Sequence, residues 1–266
     1  MKTMRILGLT LLSAILLTGC SSVLMTGRKQ LMLVTDAQVI NMSDSSYQAY
    51  MAGAKISKKA TQSAMVTRVG KNIANAVESY LAQKGQTSLI DGYSWDFKLV
   101  VDTAVNAFCM PGGKIVVYEG ILPVTSTETG LAVVIGHEVA HAVAKHSNER
   151  ISQQMAASYG ATALDALLQT KSDLTRTIAS TVFGLGAEYG VMLPYSRKQE
   201  YEADHLGLIF MAMAGYDPSQ AISFWKRMSA SSASSVPEFL STHPSDSKRI
   251  ANMQAILPEA QTFYKK

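Results

Sequence analysis

Gly130-Leu131-Ala132-Val133-Val134-Ile135-Gly136-His137-Glu138-Val139-Ala140-His141 is the stretch on which the reading of this chain turns. Residues four apart in an α-helix are turned by about 400° and stack roughly one turn apart, so His137 and His141 leave one face and can share a cation. Glu138 follows His137 directly. It can reach a water at that cation without being a ligand, the position a general base needs. The flanking Leu131, Val133, Val134, Ile135, Val139, Ala140, Ala142 and Val143 make the helix apolar nearly all round, which predicts burial. Unpaired polar groups buried there would cost roughly 2 to 7 kcal/mol each. Two histidines and a glutamate so placed imply a strong partner, and the geometry suits Zn2+, one per chain.

The chain has 266 residues, 47% hydrophobic and 17% charged, enough for one domain with a sizeable core. Residues 1–19 are a separate object. Lys2 and Arg5 precede an apolar run from Ile6 to Leu17 that is too short to span a bilayer, the pattern of an export signal. Leu17-Thr18-Gly19-Cys20 reads as a bacterial lipobox, which makes Cys20 the lipidation site. Removal of the signal lowers the formal charge from +4 to about +2, which gives no footprint for nucleic acid. Cys109 is then the second of two cysteines, read as a buried strand residue.

Residues 20–35 read as a lipid-anchored tether and lead-in segment, and 36–266 as one domain. Helical spacing covers Asp36 to about Ala54 and Thr61 to about Gln83; in the second, Val66, Val69, Ile73, Ala76 or Val77, and Tyr80 share a stripe. Period-two alternation from Trp95 to Val101, then Ala104 to Met110 and Lys114 to Tyr118 around Pro111-Gly112-Gly113, predicts a small three-stranded antiparallel sheet beside the motif helix. Asn106 and Ala107 are the candidate edge that would take up an extended peptide. Thr125-x-x-Glu128 reads as a capping box for the motif helix. The apolar stretches Met155–Leu168 and Ile178–Leu193 read as buried or cleft-covering helices. Further helices are expected from Arg197 to Gly215 and after Asp217-Pro218, with a mobile Ser/Ala run at Ser229–Ser235 and a last helix opened by Thr242-His243-Pro244-Ser245.

A catalytic zinc site needs three protein ligands and one open position. The metzincin spacing would require Gly at 144 and His at 147, where this chain has Ala144 and Ser147. His146 is one residue short and reads as a cap on the C-terminal end of the motif helix. Glu200-Tyr201-Glu202-Ala203-Asp204 offers carboxylates instead. Glu200 and Asp204 share a helix face while Glu202 points nearly opposite, so one of the pair can bind metal and the other accept the second ring N–H of a ligating histidine.

With the late Thr242-His243-Pro244, these motifs resemble the gluzincin family of HtpX, the CAAX prenyl endopeptidases and the Oma-type proteases. Within it, the chain is similar to the lipid-anchored branch of lipoprotein peptidases such as LoiP and BepA. The resemblance runs from about Thr26 to the last helix. It implies a mostly helical, α+β zincin-like metallopeptidase domain, with zinc on His137, His141 and Glu200, Glu138 as base and proton shuttle, and Asp204 behind a ligand. Arg249 resembles a family arginine near the cleft, although its spacing alone suggests a surface charge. His243, between a Ser-rich run and a helix start, can either fill the open zinc position or donate to the developing oxyanion.

The expected function is endoproteolysis of exported or misfolded envelope proteins by a lipid-anchored enzyme on the periplasmic face of the outer membrane. Its partners would be polypeptide substrates, the membrane through the lipid, and envelope assembly machinery. The alternative is a chaperone-like envelope lipoprotein that binds clients with little or no proteolysis.

Overall fold

The computed structural model describes residues 20–24, 26–169, 193–231, 239–240, 243 and 247–265. The expected signal segment, the stretch 178–192, and Thr242, Pro244 and Ser245 lie outside the described residues. The described chain forms two compact units, one from residues up to 38 with 145–196, the other from 39–144 with 197–266.

In the first unit, β1 (Cys20–Ser22) and β2 (Lys29–Leu31) pair antiparallel, Cys20 opposite Leu31. The segment expected to be a tether is thus a hairpin at its start. It rests on α5 (His146–Leu168): Arg28 forks onto the buried Glu149 at 2.6 and 2.8 Å, the Leu33 N–H donates to Ser152 Oγ at 2.8 Å, and Asn148 Nδ2 donates to Asp36 Oδ1 at 3.0 Å. Lys145 also pairs with Asp36. His146 is the first residue of α5, because the chain turns through Lys145 at φ 60° and starts a new helix. The stretch from Met155 onward is helical but not buried as expected. Its described side chains are half-buried or exposed, with Tyr159 65% exposed, since a low charge content built from Ala and Ser does not itself drive burial. Among the described residues, no helix is long and apolar enough to cross a membrane.

The second unit carries the motif. α1 (Asp36–Gly53) buries Val39, Ser43 and Tyr47, and α2 (Ala60–Gln83) buries the predicted stripe of Val66, Val69, Ile73, Val77 and Tyr80. Strands β3 (Asp96–Val100), β4 (Ala107–Met110) and β5 (Lys114–Tyr118) form one sheet in the order β3-β5-β4. β4 and β5 are antiparallel as expected, joined by a turn in which Gly112 and Gly113 take φ of 87° and 83°. β3 is parallel to β5, so the sheet is mixed. After β3 the chain skips one strand position before laying down β4, and the tight turn folds β5 into the gap. Alternation along a strand is the same for either direction, which is why the sequence did not distinguish them.

The short α3 (Leu122–Thr125) leads into the motif helix α4 (Glu128–Val143). The N-cap is Thr127, not Thr125: its Oγ1 accepts from Gly130 N–H at 3.0 Å. Thr125 ends α3 instead, Ser126 turns the chain at φ 56°, and Thr127 is the residue left extended. α6 (Leu193–Met213) begins four residues earlier than expected. α7 (Gln220–Ser231) extends into the expected Ser/Ala loop, whose remainder lies outside the described residues, and α8 (Ser247–Thr262) closes the unit. α4 packs against α2, β4 and α7, which places the edge strand on one flank of the motif.

Candidate metal centre and active site

α4 is buried over most of its length, so its polar residues face one another. His137 is 2% exposed and its Nε2 lies 3.1 Å from His141 Nε2. α6 presents Glu200 to both: Oε2 is 3.3 Å from His137 Nε2, and Oε1 is 3.2 Å from His141 Nε2. His243 completes the group, with Nδ1 3.2 Å from His137 Nε2 and 3.0 Å from Glu200 Oε1. The four ligand atoms all lie within 4.8 Å of one another.

Donors about 2.1 Å from a tetrahedral ion stand about 3.4 Å apart, close to these spacings, and two imidazoles with a carboxylate are a zinc donor set. Charge agrees. Glu138, Glu200 and Asp204 are three buried carboxylates gathered around one guanidinium, that of Arg249. The shortfall of two positive charges is what a divalent ion supplies. The residues therefore fit zinc, which His137, His141 and Glu200 could hold with His243 beside them.

Asp204, one turn along α6 from Glu200, accepts from His137 Nδ1 at 3.0 Å, which turns the other ring nitrogen towards the metal position. Arg249 is 1% exposed, not the surface charge that its spacing suggested. Its Nε and Nη2 fork onto Asp204 at 2.6 and 2.7 Å, and its Nη1 lies 3.0 Å from Glu200 Oε2. Burial opposes ionisation of Asp204, and Arg249 overcomes it and keeps the carboxyl below its ordinary value. Burial likewise opposes ionisation of Glu200, but the His141 charge and the three histidine contacts hold its carboxyl well below the carboxylate range. His137 is opposed by burial and Arg249, yet Asp204 and Glu200 push it up to about 9 when no ion competes for its nitrogen.

Glu138 is the exception among the carboxylates. Burial raises it above the usual range. Its Oε1 lies 3.3 Å from His243 Nε2 but in no hydrogen-bonding geometry, a buried oxygen left to accept a proton. Glu202 is buried and is not part of the ligand group. His205, on the same helix as Glu200, faces Glu259 at 2.9 Å. Cys109 sits half-buried in β4, and burial together with the Glu138 charge pushes its thiol well up, away from nucleophilic use.

Asn106 and Ala107 stand at the start of β4, an outer strand of the sheet, with Ala107 buried. The neighbouring Val105 carbonyl accepts from the Phe239 N–H at 3.0 Å. Phe239 stacks on His243 with ring centroids 4.8 Å apart, and Trp225 lies under the Arg249 guanidinium at 3.9 Å. Phe239 and Trp225 were missed from the sequence, where each reads as an ordinary apolar residue. The contact that brings α4 and α6 together was also missed: Gly136 and Gly207 meet there backbone to backbone.

Residues 68–257 match peptidase family M48. The chain is 38% identical over 191 residues to the mitochondrial metalloendopeptidase OMA1 of Schizosaccharomyces pombe, covering 71% of this chain and 53% of that protein. It is 28% identical over 225 residues to human metalloendopeptidase OMA1, covering 82% and 42%. It is 29% identical over 177 residues to the beta-barrel assembly-enhancing protease of Yersinia pestis, covering 62% and 36%. The chain thus spans about half or less of the length of these curated relatives. With the His-Glu-x-x-His helix, the glutamate on α6 and a family match across most of the second unit, the chain belongs to peptidase family M48.

Proposed function

We propose that this chain is a zinc metalloendopeptidase of the cell envelope that cleaves exported or misfolded polypeptides. One observation carries the reading: His137, His141 and Glu200 converge with zinc spacing while Glu138, buried beside them, keeps an oxygen outside the ligand set. Bound zinc supplies Lewis acidity that polarises the scissile carbonyl and acidifies water. Glu138 takes the water proton and later delivers it to the leaving amine, and its raised carboxyl makes it the stronger base for that transfer. Asp204 and Arg249 hold the His137 ring and the Glu200 carboxylate in place. The outer edge of β4 is the place for an extended substrate. The Asn106 carbonyl accepts from the Tyr118 N–H at 3.1 Å and the Ala107 N–H donates to Asn106 Oδ1 at 2.9 Å, so the Asn106 side chain must yield for pairing at the Ala107 N–H.

His243 Nδ1 stands 3.2 Å from His137 Nε2 and 3.0 Å from Glu200 Oε1, which supports a latent state in which its imidazole stands where water would enter. The oxyanion role would need it to swing away from the ligands. Lipidation at Cys20, a periplasmic outer-membrane location and clients on the way to β-barrel assembly complete the reading; they rest on the lipobox and on likeness to a protease whose name states that assembly role. Casein hydrolysis that a chelator abolishes and zinc restores tests the activity, and its absence in zinc-loaded protein would leave the client-binding alternative. Palmitate labelling lost in Cys20→Ala tests the anchor, and an unlabelled native protein would refute it.

A further inference from the structure

We propose that Arg249 is a positioning residue that joins the segment carrying His243 to the ligand carboxylate of Glu200, so that release of one alters the hold on the other. This rests on the reading of Glu200 as a zinc ligand and His243 as its movable neighbour. The guanidinium is fully buried, so its donors must be matched within the protein. Nε and Nη2 form the Asp204 fork, and Nη2 also lies 3.2 Å from His137 Nδ1. Nη1 carries two N–H groups and meets two acceptors: it lies 3.0 Å from Glu200 Oε2 and donates to the His243 backbone carbonyl at 3.2 Å. Trp225 supports the plane of the group from one side.

One rigid plane that holds both makes a coupling. When His243 leaves, its carbonyl leaves with it, and the plane that holds Glu200 loses one of the acceptors that fix it. While His243 stays, the same plane pins its backbone beside the metal position. A lysine can neutralise Asp204 as a point charge, but it cannot form the fork and also serve two further acceptors. Arg249 touches neither substrate nor reacting atoms, and acts through Glu200, Asp204, His137 and His243.

The test measures zinc release into an excess of coloured chelator for native protein, Arg249→Lys, His243→Ala and the double variant. Loss of a residue that orients metal ligands typically weakens zinc binding by about 10-fold to 100-fold, and Arg249→Lys is expected in that range while loading one zinc per chain. The effect of His243→Ala should shrink in the Arg249→Lys background, because the rigid guanidinium that links the two is already gone. Native zinc release with only a lowered melting temperature would make Arg249 a structural residue and overturn the proposal. Fully additive effects would overturn the coupling. Should Arg249→Lys fold poorly, Trp225→Phe thins the support of the guanidinium and leaves its donors intact; several-fold faster release is expected, and an unchanged rate counts against the proposal. Failure of the native protein to bind zinc would instead refute the underlying ligand assignment.

Discussion

Gly136 of α4 and Gly207 of α6 touch backbone to backbone. A Cβ on Gly136 would stand 3.0 Å from the Gly207 carbonyl oxygen, and one on Gly207 would stand 3.0 Å from the His137 amide nitrogen. Each contact is tighter than most packed Cβ atoms show, so a side chain at either position would require the facing helix to give by a few tenths of an ångström.

Gly207→Ala should therefore push α6 away from α4 by a few tenths of an ångström. Overpacking of this kind costs about 1 to 3 kcal/mol, and the displaced Glu200 should weaken zinc binding by roughly tenfold. Thermal melting and chelator competition on the same sample read both effects. Native zinc affinity in a destabilised protein would mean that the crossing supports the fold but does not set the ligand geometry.

Neighbouring carboxylates on α6 should separate cleanly. Glu200→Ala removes a ligand and should lose zinc during dialysis, whereas Glu202→Ala should retain one zinc per chain although Glu202 is also buried. Metal analysis after dialysis decides, and the reverse pattern would mean that the helix face is misassigned.

His243→Ala should raise specific activity several-fold, because its Nδ1 stands among the ligands at 3.0 to 3.2 Å. An oxyanion donor would instead show a loss of about 100-fold to 1000-fold in turnover. A lowered melting temperature with unchanged turnover would remove His243 from the chemistry altogether.

The apo protein holds a proton on His137 up to about pH 9, and zinc must displace it. Apparent zinc affinity should then rise by about tenfold per pH unit between pH 6 and pH 8, since one proton is released for each ion bound in that range. Asp204→Asn removes an interaction that raises His137, so the dependence should flatten at lower pH. Competition titrations at several pH values measure it, and a pH-independent affinity would contradict the assignment of His137 as the displaced acid.

The parts of this architecture that follow from local pattern were legible in the sequence. The stripe on α2, the motif helix and the pairing of Glu200 with Asp204 are set by spacings of three and four residues, which a helix converts directly into a shared face. The mixed sheet was not legible, because Phe97, Leu99 and their neighbours alternate identically whether β5 runs with β3 or against it. Thr125 and Thr127 compete for the same cap in sequence, and only the φ of Ser126 separates them. Arg249 looked like a surface charge because its partners come from α6 and α7, and nothing local to Ser247–Thr262 records a buried acid waiting for it. The Gly136–Gly207 contact was hidden for the same reason: two isolated glycines carry no sign that they will meet.

Glu138→Gln gives the most direct test of the central claim, because it removes the base and leaves every proposed ligand untouched. Zinc content, melting temperature and turnover of a peptide or casein substrate should be measured on the same preparation beside the native protein. The account predicts one zinc per chain, native-like folding, and turnover lower by about 100-fold to 10,000-fold. Native turnover by the zinc-loaded Glu138→Gln protein would contradict it.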